Sequence, residues 1–185
     1  MSELGKERLF LAVAIDDTTR DLLAAHLEAH AGRGLPGRAV DPSGWHVTLR
    51  FLGWTADVVR DRILHAIAES ELPPPFIARC SGFGAFPKTA RAGVMWLGFD
   101  RGGEQLTAMA AVCEEAVRRH GFSPEERPFV PHITLSRIRP HQDVTALLDR
   151  LPPFPVRMPV EAVTLFRSTL RPGGAVYEVV DTVEL

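Results

Sequence analysis

The chain has 185 residues, 45% of them hydrophobic and 24% charged, with a formal net charge of −2. That composition excludes a disordered chain, and the length suits one domain, or one pair of tightly joined lobes, over residues 1–185. It also excludes a broad basic footprint of the kind that tracks along nucleic acid, where affinity comes from neutralising many phosphates, so any nucleic-acid substrate would be gripped at one end.

The N-terminal stretch MSELGKERLF is polar and charged. The apolar run at 9–15 is too short to span a membrane or serve as a secretory core, so a soluble, cytoplasmic protein is expected. Residues 8–15 (RLFLAVAI) have strand length, and Asp16-Asp17-Thr18-Thr19 supplies N-cap candidates for a helix through about His30. Gly32, Gly34, Pro36 and Gly37 mark a loop. Residues 45–52 (WHVTLRFL) alternate polar and apolar as a half-buried strand does. A second helix runs from Thr55-Ala56-Asp57 to about Glu69, and Pro73-Pro74-Pro75 ends it.

Two strands follow at 76–83 and 93–99. Residues 102–120 then repeat apolar side chains at helical spacing (Leu106, Met109, Ala110, Val112, Val117), with Gly121 placed as a C-cap. A strand at 132–138, a short helix at 143–150, and strands at 160–168 and 175–180 joined by a Pro172-Gly173-Gly174 turn complete the chain. Strands that come both in adjacent pairs and separated by helices predict an α+β fold with mostly antiparallel sheets. Cys80 and Cys113 fit no Cys-x-x-Cys pattern and read as buried reduced thiols.

One element occurs twice. HVTL at 46–49 and HITL at 132–135 share the pattern His, apolar, Thr, Leu on two expected strands. A single copy is a weak signal, but two copies would arise by chance in about one chain in a thousand. Residues i and i+2 of a strand share a face, which sets His46 beside Thr48 and His132 beside Thr134. Two such strands would surround a small anion with two imidazoles and two hydroxyls. In-line displacement at phosphorus needs a base and an acid on opposite sides, and histidine titrates near neutral pH. Threonine hydroxyls would hold the equatorial oxygens. Neither a His-Glu-x-x-His pattern nor a zinc-spaced Cys/His cluster is present, so no metal or other cofactor is expected.

With these motifs and the flanking RLFLAVAID, VMWLG, RPFVPHITLSR and LFRSTLRPGGAVYEVV, the chain resembles the two-histidine phosphoesterases, and most closely the RNA 2′,3′-cyclic phosphodiesterase (LigT-type 2′-5′ RNA ligase) family. The resemblance implies two pseudo-symmetric lobes, each an antiparallel sheet with flanking helices, facing across a central cleft. It implies hydrolysis of a terminal 2′,3′-cyclic phosphate to a 2′-phosphate, together with reversible 2′-5′ RNA ligation. On that basis His46 would be the acid that protonates the 3′ oxygen and His132 the base that activates water. Thr48 and Thr134 would hold the phosphate, and Arg137 would lie near phosphate and nucleobase.

Phe51 matches a family aromatic near the base, although parity on a regular strand puts it opposite His46, towards the core. Arg50 shares parity with His46, so it is expected at the cleft or its rim, or else solvated. Met95 and Trp96 are expected in a strand core. His26, His30, His65, His120 and His141 have no matched partner and read as solvated or capping residues. Arg91, Arg127 and Arg171 are candidate contacts to an RNA end, but each reads more readily as an ordinary surface charge. The expected partners are RNA 3′ ends or small nucleotides bearing a cyclic phosphate, ADP-ribose cyclic phosphate among them; no membrane is expected and the protein reads as a monomer. A non-catalytic module that binds RNA ends is the competing class.

Overall fold

The computed structural model describes residues 5–172 and 174–185. In chain order the elements are β1 (Lys6–Ala14), α1 (Asp17–His30), β2 (Arg38–Ala39), β3 (His46–Ala56), α2 (Asp57–Ala68), β4 (Phe76–Phe86), β5 (Ala92–Arg101), α3 (Gly103–Arg119), β6 (Ile133–Gln142), α4 (Thr145–Leu148), β7 (Arg157–Val160), β8 (Ala162–Arg171) and β9 (Gly174–Glu184). Asp16 caps α1 as its sequence implies, accepting from the Thr19 amide at 3.0 Å and the Thr19 hydroxyl at 2.6 Å. Leu106, Met109, Ala110, Cys113 and Val117 form the buried stripe of α3.

The C-terminal third differs from expectation. The strand expected at 160–168 is two strands, β7 and β8, and the helix expected at 143–150 is the single turn of α4. Among the described residues β7 pairs only with β4. At such an edge Pro159, which has no N–H to donate, costs no ladder bond. Gly173 of the expected turn lies outside the described residues.

Among the described residues all strands belong to one sheet, in the order β7-β4-β5-β6-β3-β1-β8-β9 with β2 on β6, and every pairing is antiparallel. It divides into two lobes, β7-β4-β5-β6 and β3-β1-β8-β9, which meet at one residue pair, Val47 with Ile133. Both lobes repeat the same connection, a strand, a helix and an antiparallel neighbour: β1–α1–β3 and β5–α3–β6. The next strand then crosses over. After α2 the chain enters the other lobe as β4 beside β5, and after α4 it returns as β8 beside β1. The α+β, pseudo-symmetric two-lobe architecture expected above is the one observed.

One face of the sheet packs on α1, α2 and α3 in a core holding Leu9, Leu11, Val13, Val47, Leu97 and Ile133. Cys80 and Cys113 are buried, free thiols, and burial pushes both up to about 12.

Candidate active site

His46 opens β3, and His132 stands directly before β6. Between them Val47 and Ile133 pair across the seam, both fully buried on the core side. Alternation therefore turns His46, Thr48, His132 and Thr134 to the opposite face. In antiparallel register His46 stands across from Thr134, and Thr48 across from His132. The seam thus brings together the four residues that the sequence motif selects.

The two imidazoles are oriented in the same way. His46 Nδ1–H donates to the Gly44 carbonyl at 2.8 Å and His132 Nδ1–H to the Val130 carbonyl at 2.7 Å, in both cases two residues upstream. A carbonyl only accepts, so the proton of each neutral ring sits on Nδ1 and the lone pair on Nε2. The Thr48 hydroxyl, 2.8 Å from His46 Nε2, donates to it.

Aromatic rings wall each histidine. Phe10 lies 4.7 Å from the His46 ring and Tyr177 stands perpendicular to it at 5.2 Å. Phe86 meets His132 edge-on at 5.1 Å. Trp96 is half-buried with its ring 6.4 Å from His132, so it faces the site rather than the core, whereas Met95 is fully buried as expected. A side-chain carbon on Gly84, its cross-strand partner, would collide with that indole, so the bare glycine lets the ring lie flat.

Burial among these rings lowers His46 to about 4, against a weaker upward pull from the Gly44 carbonyl, and the charge of Arg137 and the proximity of His132 depress it further. His132 is lowered by the same desolvation, again with a contribution from Arg137. The apo site is a neutral pair of imidazoles beside a fixed positive charge.

Arg137 and Phe51 reach this face through matching irregularities. On β3, Thr48 pairs with Ala12 and Arg50 with Leu11, leaving Leu49 as an extra residue. On β6, Thr134 pairs with Trp96 and Ser136 with Met95, leaving Leu135. Each bulge reverses the alternation that follows it. From His46 to Leu52 and from His132 to Ile138 the order is identical: half-buried, buried, half-buried, buried, buried, exposed, buried. The exposed positions are Phe51 and Arg137, each five residues after its histidine, and Phe51 lies 5.8 Å from the Phe10 ring.

The same bulge corrects the reading of Arg50, which points neither to the cleft nor to solvent. Its Nε lies 2.5 Å from Glu114 on α3, and its Nη1 donates to Glu125 at 2.8 Å. Its Nη2 donates to the Ser123 carbonyl.

Sequence reasoning missed Phe10, Phe86 and Tyr177. Phe10 lies in a run that is apolar on both faces, so alternation could not mark it. Tyr177 is the only tyrosine of the chain and stands in the closing segment that carries the resemblance, and that was a usable signal. Of the histidines set aside, His26 bonds the Pro152 carbonyl at 3.0 Å and His120 the Ala116 carbonyl at 2.8 Å. Among the described residues no group of three or more His, Cys, Asp and Glu could hold a metal ion, and no helix is long and apolar enough to cross a membrane.

A two-lobed antiparallel α+β fold that sets matched His-x-Thr-Leu strands side by side defines a two-histidine phosphoesterase. The chain belongs to the 2′-5′ RNA ligase superfamily, whose profile matches residues 20–171. A Thermus thermophilus protein named RNA 2′,3′-cyclic phosphodiesterase is 35% identical over 96% of this chain and 90% of its own length. An Archaeoglobus fulgidus protein of the same name is 32% identical over 92% of this chain and 96% of its own. The crystal structure of Escherichia coli LigT complexed with 3′-AMP superposes with a TM-score of 0.79 at 26% identity, covering 97% of this chain and 98% of that one.

Proposed function

We propose that this protein hydrolyses the 2′,3′-cyclic phosphate at the end of RNA to a 2′-phosphomonoester, with His46 and His132 as its acid–base pair and no metal in the reaction. The observation that carries this reading is the twin orientation of the rings, each fixed through Nδ1 by a carbonyl two residues upstream, so that both Nε2 atoms serve the same face. The names of the Thermus and Archaeoglobus relatives, and the 3′-AMP bound by Escherichia coli LigT, agree with it.

In this reading His132 is the base. Among the described residues its Nε2 has no protein partner and is free to take a proton from water. That water attacks phosphorus in line with the bond to the 3′ oxygen, which leaves with a proton from His46. Thr48, Thr134 and Arg137 hold the non-bridging oxygens, and Phe51 carries the terminal base. The acid must be protonated, although burial keeps His46 neutral in the free protein. An anionic phosphate offsets Arg137 and lets the proton enter with the substrate. With a 5′-hydroxyl in place of water, the same step, His132 taking the hydroxyl proton and His46 protonating the departing 3′ oxygen, would join the cyclic end to that hydroxyl as a 2′-5′ linkage. Each lobe supplies one histidine, so the functional unit is the whole span 1–185.

The test is an oligoribonucleotide ending in a 2′,3′-cyclic phosphate, incubated with the protein in excess EDTA. We expect a 2′-phosphate product, and losses of at least about a hundredfold in kcat for His46→Ala and for His132→Ala. Dependence on added metal, or near-full activity in either variant, would overturn the mechanism. An inert wild type that still bound the RNA end would favour the non-catalytic module.

A further inference from the structure

Arg38 and Arg137 are direct partners across β2 and β6, so both side chains leave the same face of the sheet. The bulge at Leu135 makes that the face of His132 and Thr134. Like charges set directly opposite on antiparallel strands repel, and a fold meets that cost only where something opposes it. Other strand arginines have a counter-charge within the chain: Arg50 faces Glu114, Arg167 faces Glu178, and Arg79, which stands opposite both Arg101 and Arg157, bonds Asp100. Among the described residues no carboxylate pairs with Arg38 or Arg137, and both are exposed.

Two glycines build this corner. Gly37, at φ +72, lets the loop before β2 press against the backbone of β6, where a side-chain carbon would stand 2.8 Å from the Ile138 Cα. At Gly174, the first residue of β9, a side-chain carbon would overlap the Arg38 guanidinium. The guanidinium therefore lies against the start of β9, braced by the opposite lobe.

Arg137 holds the phosphate being opened, and we propose that Arg38 beside it forms a second anion subsite, which holds the next substrate phosphate: the phosphodiester on the 5′ side of the terminal nucleotide. The inference rests on the RNA-end reading above and deepens it. It explains how a chain of net charge −2 grips RNA without a basic surface: two arginines side by side match consecutive phosphates at the end of a strand. Arginine forks suit such oxygens.

The test compares wild type with Arg38→Gln, which keeps the length of the stem while removing its charge, and with Arg38→Lys, which keeps charge and folding. Three substrates are used: a nucleoside 2′,3′-cyclic phosphate with a free 5′-hydroxyl, the same compound with a 5′-phosphate, and a trinucleotide ending in the same cyclic phosphate. Arg38→Gln should lower kcat/KM on the trinucleotide by about tenfold or more beyond its effect on the 5′-hydroxyl compound, with Arg38→Lys intermediate. An equal selective loss on the 5′-phosphorylated mononucleotide would show that any phosphate at that position suffices, and a loss on the trinucleotide alone would fix the internucleotide linkage. Equal losses on all three, or none, would sink the proposal. Should wild type turn over none of them, the hydrolytic reading fails and binding decides the subsite separately. Fluorescence anisotropy with a trinucleotide ending in a 3′-phosphate should then show a log–log salt slope shallower by about 0.7 in Arg38→Gln. An unchanged slope would rule the subsite out.

Discussion

Burial among Phe10, Phe166 and Tyr177 costs His46 its charge. The direction is the same at His132, so the free protein carries both imidazoles neutral at pH 7. The profile of kcat/KM reports the free protein. A base that must be neutral works above its pKa and an acid that must be charged works below its own. With both lowered from 6.5, the bell should centre on the acid side of that value. Bound phosphate opposes the depression, so the profile of kcat should lie at higher pH than that of kcat/KM. Coincident profiles centred above pH 7 would show that substrate charge does not tune the pair. The exposed Phe51 ring adds nothing to the core, so Phe51→Ala should raise KM about fivefold or more, in line with one lost stacking contact, and shift Tm by less than about 2 °C.

At the scale of elements, the decisive feature is the bulge at the leucine of each motif. The motifs themselves were legible, because a four-residue pattern repeated on two strands survives any register. The residues beyond them were not. Parity counted from His46 sent Phe51 inward and Arg50 outward, and one inserted residue reverses both. Nothing in HVTLRF or HITLSR marks Leu49 or Leu135 as the extra residue, since bulges answer to the neighbouring strand. The fold class followed from element order. Strand exchange between lobes depends on long-range pairing, which local patterns do not encode.

The inward Arg50 ties β3 to α3 and to the segment that leads to His132. Arg50→Met would leave Glu114 and the Ser123 carbonyl without their partner, at a cost of about 3 kcal/mol, or a fall in Tm of about 6–12 °C. Adding Glu114→Gln should restore part of that loss. A Tm unchanged in Arg50→Met would mean that the ion pair is idle.

Across the whole molecule, α1, α2 and α3 share one core while the two lobes of the sheet join at a single rung. The face that carries both motifs straddles that rung, so the two histidines are held in mutual register by the helices beneath more than by the ladder between their strands. Substrate bridging both motifs would add a second clasp, and a 3′-phosphorylated nucleotide should raise Tm in proportion to RT ln(1 + [L]/Kd).

The crossing of β4 and β8 also makes each half of the chain the keeper of a strand the other half requires. A cut at the exposed Lys88, in the turn between β4 and β5, would yield one piece carrying His46 and one carrying His132. Each would have an unfilled strand position beside β1 or β5 and a spare strand to donate. Neither piece should unfold cooperatively alone. Refolded together they should restore the melting transition and the hydrolysis, and cooperative unfolding of either piece by itself would contradict this. In its connectivity the molecule is a pair of mutually completing subunits that happen to share one peptide bond.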